Sequence, residues 1–535
     1  MQDSPMLQGI QRLRDAWLQA SADTSKRLLI WRLPANASRL LAAFFEMQRH
    51  DEGRETPDYF LQIGTAFDLG FRYSRQIKSD LLERYLLSQD GLREQGVPGG
   101  WRGPHEGNGD SAEGVVQVLE SFSSHHADHL RLLAVVLEPE RCVPGDGFEC
   151  WVDAALAAAQ GSRLRLVLVD SEEDPRWQSL FERHASVAAL ITAPVDMFSI
   201  ARDTAIHSGG RGPQVVYRQM LTDLMLLLER GDAGQVVARA ERMQALALRH
   251  GWHEQQAVVQ MMVAGAWLKQ GDSGQAVSAY RQARNAAETA RAGGNVAAPE
   301  LVMQSWFGEA GCWLVARQPE HATQAYLQAS ASAASVPHPM FALEGQRMAG
   351  WCTLQSGQRE AARTQLLEAI RIAKPMSPAD RRTTTLPQAL WDLLQLQDAR
   401  RCQSLQEVAA TYLQASTGLL EKADAQARAL GPQPSRRALD VIDGQLDVAL
   451  EQGFHQAQRE RERLIQAGDE FFRKIVAVAR DFLDPAWNGL PAIEHPLDHD
   501  IPSWSEPPAM LPLPDASALL QPSVDASEPE GVALA

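Results

Sequence analysis

Leu228-Glu-Arg-Gly-Asp-Ala-Gly-Gln-Val-Val-Ala238 returns forty residues later as Leu268-Lys-Gln-Gly-Asp-Ser-Gly-Gln-Ala-Val-Ser278, with six of eleven positions identical. Self-similarity at a fixed period of this size marks a stacked repeat array. The Gly-Asp pair sits between two apolar-periodic segments. Gly231 and Gly271 suit the left-handed conformation that closes a helix. Asp232 and Asp272, or the residues that follow them, suit the cap of the next helix. Each unit therefore reads as a helix-turn-helix hairpin. The turn recurs in weaker form at Arg317 and Gly357, so the turns are spaced by 40, 46 and 40 residues.

Counting outward from the turns tests this. The second unit places Ala264, Trp267, Ala276, Tyr280 and Ala283 in a small-large alternation, and the third places Ala310, Trp313, Ala322, Tyr326 and Ala329 at the same offsets. Small residues let two helices approach and the aromatic rings fill the adjacent holes. In the fourth unit the series is Gly350, Thr353, Ala362, Leu366 and Ala369, with Thr353 where a bulky side chain is usual. The first unit has Leu224, Val236 and Met243 at the small positions. An atypical first unit is expected of a capping repeat.

These residues resemble the tetratricopeptide repeat family over roughly residues 215–375. The periods exceed the family's 34 residues, which implies longer helices or connections. The resemblance concerns fold and says little of function. It implies that the first helix of each hairpin lines a concave groove, and it places Arg218, Met225, Met261, Lys269, Phe307, Glu344, Arg347 and Trp351 there. Methionine and aromatic side chains suit an amphipathic helix or apolar segment of a protein partner. The competing expectation is that they pack on residues 436–483 or on the N-terminal region.

Upstream of the array the pattern changes. Arg27–Leu33, Tyr59–Ile63, Leu130–Leu137, Arg163–Asp170 and Val187–Ile191 read as strands. Helical segments alternate with them over 1–20, 35–47, 70–89, 112–124, 148–160 and 175–184. That alternation predicts an α/β domain with a mostly parallel sheet over residues 1–210. Helical repeats follow over 214–430, then a C-terminal helical region over 436–485. Residues 486–535 hold nine prolines, eight Asp or Glu and no Lys or Arg, and read as an acidic disordered tail. The chain as a whole is expected to be mostly α.

The order of an α/β domain before repeats resembles the signal-transduction NTPases that carry repeat arrays. In such folds Asp170, at the end of Leu166-Val-Leu-Val-Asp170, would hold Mg²⁺. The first strand, however, leads into Leu33-Pro-Ala-Asn-Ala-Ser38, without the Gly-x-x-x-x-Gly-Lys-Ser/Thr loop that cradles phosphates. The expectation is a degenerate domain that does not hydrolyse nucleotide. No Gly-x-Ser-x-Gly and no catalytic cysteine motif is present, so no enzyme activity and no cofactor is expected. His125, His126 and His129 with Asp128 would need a third metal ligand from elsewhere, and a helix end is the simpler reading. Glu494, His495, Asp498, His499 and Asp500 read as part of a solvated tail, and the glycine-rich stretch 99–109 as a solvent loop.

Composition narrows the class further. Net charge is −16, half of it in residues 486–535. An acidic chain lacks the cationic surplus that phosphate backbones require, which argues against nucleic acid as a partner. Five cysteines without Cys-x-x-Cys suit a reducing compartment. The N-terminus lacks the layout of a signal peptide and no apolar run reaches membrane-span length, so a cytoplasmic location is expected. The sequence predicts a non-enzymatic adaptor or chaperone holding a protein client, with cargo loading for a bacterial secretion apparatus as one such role. The alternative is a signalling regulator whose α/β domain binds a nucleotide without hydrolysis. The tail's islands Trp504–Pro514 and Ala516–Leu520 read as short motifs that dock on a partner or on the protein's own groove.

Overall fold

The computed structural model describes residues 4–48, 56–94, 96–97, 99–105, 107–143, 145–207, 212–336, 338–494 and 512–521. The chain forms two compact units, Met1–Ser208 with Leu413–Gly453, and Gly209–Tyr412 with Phe454–Ala535.

The first unit is built on a parallel sheet of β1 (Leu28–Leu33), β2 (Tyr59–Ile63), β3 (Leu133–Leu137), β4 (Leu164–Ser171) and β5 (Ala188–Ile191), in the order β2-β3-β4-β1-β5. The strands read as unbroken apolar runs because both faces are covered. One face packs α1 (Pro5–Ser21), α2 (Ser38–Met47) and α7 (Met197–His207) through Trp17, Phe44, Phe45 and Ile200. The other packs α3 (Gly70–Glu94), α4 (Ala112–His125), α5 (Gly147–Ala158) and α6 (Gln178–Arg183) through Ile77, Val115, Val152 and Leu180. Asp58, fully buried before β2, accepts bonds from the Trp17 indole at 2.7 Å, from Arg131 at 2.6 and 2.8 Å and from the Leu132 amide at 3.1 Å. A buried carboxylate is tolerated only when it is satisfied in this way.

The array lies in the second unit. Its hairpins are α8 (Pro213–Arg230) with α9 (Ala233–Arg249), α10 (His253–Lys269) with α11 (Ser273–Ala292), α12 (Ala298–Val315) with α13 (Pro319–Ala333), and α14 (Pro339–Gln355) with α15 (Arg359–Ala373). All four turns fall where the repeats place them. Three close alike. The amides of Asp272, Gln318 and Gln358 reach back to the carbonyls of Trp267, Trp313 and Thr353, and the residue before each has φ of +82° (Gly271), +56° (Arg317) and +78° (Gly357). This is the left-handed helix ending.

The first turn departs from it. Gly231 has φ −97° and is extended, so the expected left-handed conformation is not used there. Asp232 and Asp272 cap the following helices, accepting the amides of Gln235 at 2.8 Å and Gln275 at 2.9 Å. Thr353, at a usually bulky position, is buried and its hydroxyl meets that of Thr323 at 3.3 Å. A paired hydroxyl there replaces an apolar contact.

Beyond the array come the short α16 (Pro378–Thr383), α17 (Leu386–Ala429), α18 (Arg436–Gln466) and α19 (Glu470–Phe482). Asp398 breaks α17 and caps its continuation, accepting the Arg401 amide at 3.0 Å. Gly444 and Gly453 stay within α18, whereas Gly468 precedes the break capped by Asp469, which accepts the Phe472 amide at 2.8 Å. Residues 413–429 and 436–453 belong to the first unit, where Ala423, Ala427, Leu439, Leu446 and Leu450 pack on Leu69 and Phe71. Arg72 ties this layer down at 2.6 Å to Asp443 and 2.5 Å to Asp447, and Arg75 binds Asp440 at 3.0 Å.

Candidate functional site

The residues assigned to the concave surface all lie on the first helices of the hairpins. Arg218 and Met225 are exposed on α8, Met261 is half-buried and Lys269 exposed on α10, Phe307 is half-buried on α12, and Glu344, Arg347 and Trp351 lie on α14. Several have internal partners. The Lys269 ammonium donates to the carbonyls of Leu228 at 3.1 Å and Glu229 at 2.7 Å, a cation on the C-terminal carbonyls of α8. Arg347 grips Glu344 at 2.7 and 2.8 Å and reaches Asp392 at 3.2 Å, tying α14 to α17. Burial holds the Asp392 carboxyl above its ordinary range despite bonds from Gln388 and Arg347. Phe307 packs near Tyr326 and Phe341, with ring centroids 6.0 and 6.1 Å apart. Met225 and Trp351 are 46% and 38% exposed and stay available to a partner.

A cavity of about 490 Å³ opens elsewhere on the array, between α9, α10 and α11. Its lining carries five glutamines, Gln244, Gln256, Gln260, Gln275 and Gln282, with Trp267, Leu248 and a single charge, Glu241. Gln244 donates to the Gln256 carbonyl at 2.9 Å, and the Gln256 side chain meets His253 Nδ1 at 2.9 Å. The first hairpin beside it is packed differently from the later ones. The first hairpin buries Leu224, Val236 and Met243 where later hairpins bury alanine or glycine. Larger side chains at a helix contact hold the axes further apart. A primary amide both donates and accepts, so this lining can pair with donors and acceptors alike. The sequence carries a faint sign of it in Gln256 and Gln260, one helical turn apart on the helix that bears Trp267.

In the first unit the connections leaving β1 and β4 run to opposite faces of the sheet, α2 to one and α6 to the other. The crevice at such a switch point is where α/β sheets hold ligands. Here the chain makes several bonds of its own. Arg32 bonds Asp170 at 2.9 Å, and the other Asp170 oxygen accepts the amides of Ser171 at 3.1 Å and Arg176 at 2.8 Å. The Ala35 amide, in the loop after β1, donates to the Glu173 carboxylate at 2.9 and 3.2 Å. The bonds from the Ser171 hydroxyl and from the Glu173 and Ala35 amides hold that carboxyl below its ordinary range. A side-chain anion thus takes the backbone donor that a phosphate would need.

The histidine cluster packs instead of converging. His126 is buried against Phe122 and Tyr85, with ring centroids 4.7 and 5.7 Å away. Among the described residues, no group of three or more His, Cys, Asp or Glu is placed to hold a metal ion. The glycine-rich loop folds down through Trp101, which is buried against Tyr85 and Phe122. Residues 495–500, with the histidines and aspartates noted above, and Trp504 lie outside the described residues. No described helix is long and apolar enough to cross a membrane.

No family model and no curated protein matches the chain. The solved structures similar to it include the following two. One is aspartyl phosphate phosphatase F from Bacillus subtilis, 15% identical, covering 60% of this chain and 80% of its own, with a TM-score of 0.29. The other is a signal transduction ATPase with numerous domains, carrying a tetratricopeptide repeat sensor, from Pyrococcus horikoshii. It is 10% identical and covers 87% of this chain and 91% of its own, with a TM-score of 0.22. The fold rests on the hairpins themselves. They define a TPR-like helical repeat joined in one chain to a parallel α/β unit.

Proposed function

We propose that this chain is a non-catalytic adaptor whose helical repeats hold a segment of a protein partner. The observation that carries this is the cavity between the first two hairpins, lined by five amide side chains and Trp267 with one carboxylate. Such a lining recognises peptide backbone and apolar side chains and disfavours anions. Elsewhere on the array, Met225 and Trp351 are exposed apolar side chains that offer a further contact. The α/β unit acts as a docking module, a reading supported by the bonds of Arg32 to Asp170 and of the Ala35 amide to Glu173 beyond the carboxyl ends of β1 and β4. Delivery of cargo to a bacterial secretion apparatus is one role open to such an adaptor.

The test is purification of the tagged chain from its own host, followed by reconstitution of any stoichiometric partner and calorimetry. Gln260→Ala with Trp267→Ala should weaken binding by about tenfold or more, on the scale of interface hot spots. Unchanged affinity would move the partner off this cavity. Recovery of the chain alone would overturn the adaptor reading.

A further inference from the structure

Two stretches follow α19, and they are held very differently. The first, residues 484–491, is anchored by charge-assisted bonds. Arg461, buried, donates to Asn488 at 2.8 Å and to the Pro491 carbonyl at 2.7 Å, and Arg480 donates to the Trp487 carbonyl at 2.9 Å. The second, residues 512–521, follows seventeen residues that lie outside the described ones. It rests on a buried cluster to which α15 and α19 both contribute, and its short turn lies against α15.

Its hold is light but specific. Leu513, Ala516, Leu519 and Leu520 are half-buried on that cluster. Arg371 of α15 donates to the Leu519 carbonyl at 3.3 Å. Asp515 accepts the Ser517 amide at 2.9 Å and its hydroxyl at 2.8 Å, which shapes the 3₁₀ turn Ser517–Leu520. The positive charge of Lys474, on α19, also acts on Asp515. One face thus supplies an apolar floor, a backbone donor and, at longer range, the charge of Lys474, whose ammonium is bonded to Glu470 at 2.6 Å, and the segment supplies leucines, a carbonyl and a carboxylate.

We propose that the α15–α19 face is a docking surface for acidic, leucine-ended turns, and that the chain's own residues 512–521 are its resident occupant. The contact is shallow, so it is weak between separate molecules. It persists within one chain because covalent joining supplies an effective concentration in the millimolar range. A partner segment with the same carboxylate-capped Leu-Leu turn gains the surface by displacing the tail. This assignment is independent of the glutamine-lined cavity.

The test uses the full-length chain and a fluorescein-labelled peptide of residues 510–523, read by polarisation. In the wild type the resident tail competes. Leu519→Asp with Leu520→Asp in the full chain removes that competitor without touching the surface, and peptide affinity should rise about tenfold. Adding Arg371→Ala and Lys474→Ala should reverse most of that gain. Hydrogen exchange on residues 512–521 should show protection in the wild type that the Leu519→Asp, Leu520→Asp chain loses. Equal peptide affinity for wild type and released chain, or no binding by the released chain, would overturn the proposal. So would a gain insensitive to Arg371 and Lys474, or occupancy that depends on protein concentration, which would place a second copy on the face.

Discussion

Glu173 accepts the backbone N–H of Ala35 at 2.9 Å with one carboxylate oxygen and at 3.2 Å with the other, directly beyond the carboxyl end of β1. A nucleotide phosphate entering there would have to displace an anion, with no phosphate loop to replace the lost bonds. ATP or ADP with Mg²⁺ at millimolar concentration should therefore leave the thermal midpoint of the protein unchanged within about 1 °C. A rise of several degrees in differential scanning fluorimetry would restore the nucleotide-binding alternative.

Gly308 faces the ring of Tyr280, and a Cβ at that position would overlap Cε1 and Cζ. Gly308→Ala should thus push α12 off α11 and cost about 1–3 kcal/mol, the usual range for overpacking. Adding Tyr280→Ala removes the obstruction, so the double variant should lose less stability than the two single changes combined. Strict additivity in denaturation would mean that the close approach is not made.

Arg72 binds Asp443 and Asp447 on α18 as well as Asp68, two residues before the start of its own helix, at 3.2 Å. Its guanidinium is raised above its ordinary range. Burial opposes this, and the carboxylates of Asp68, Asp443 and Asp447 outweigh it. Arg72→Ala leaves those aspartates facing one another without their cation. Hydrogen exchange over residues 419–450 should accelerate, while the amides of β3 and β4 should be unaffected. Protection unchanged over 419–450 would show that the apolar contacts of Leu439, Leu446 and Leu450 suffice alone.

Burial, followed by the nearby charges of His125 and His129, pushes the His126 pKa down to about 4. The folded state therefore favours the neutral ring. The stability this contributes is complete above the ordinary value near 6.5 and is lost as pH falls from there towards 4. That loss should be on the order of 2 kcal/mol in urea denaturation. His126→Phe should flatten the profile in this window. An unchanged slope in the variant would assign the acid sensitivity to other groups.

The hairpins were legible because their signals are local. Gly271 at a helix end, Asp232 and Asp272 as caps and the Ala-Trp-Ala-Tyr-Ala spacing act within one or two helical turns of themselves. The five strands were legible for the same reason, as apolar runs bounded by turn residues. Even the atypical first unit showed in Leu224, Val236 and Met243, though the cavity beside α10 did not.

What only the tertiary structure decided is which distant groups meet. The order β2-β3-β4-β1-β5 puts Arg32 against Asp170, and Glu173 against Ala35, across separations of 138 residues. Nothing periodic links such pairs. Lys269 looked like a cation for a partner until its ammonium was placed on the carbonyls of α8, and Arg347 likewise until it met Glu344 and Asp392. Residue type and spacing determine a side chain's own helix and face. Whether its charge remains for a partner depends on which neighbours packing brings within about 3 Å, and local spacing does not encode that.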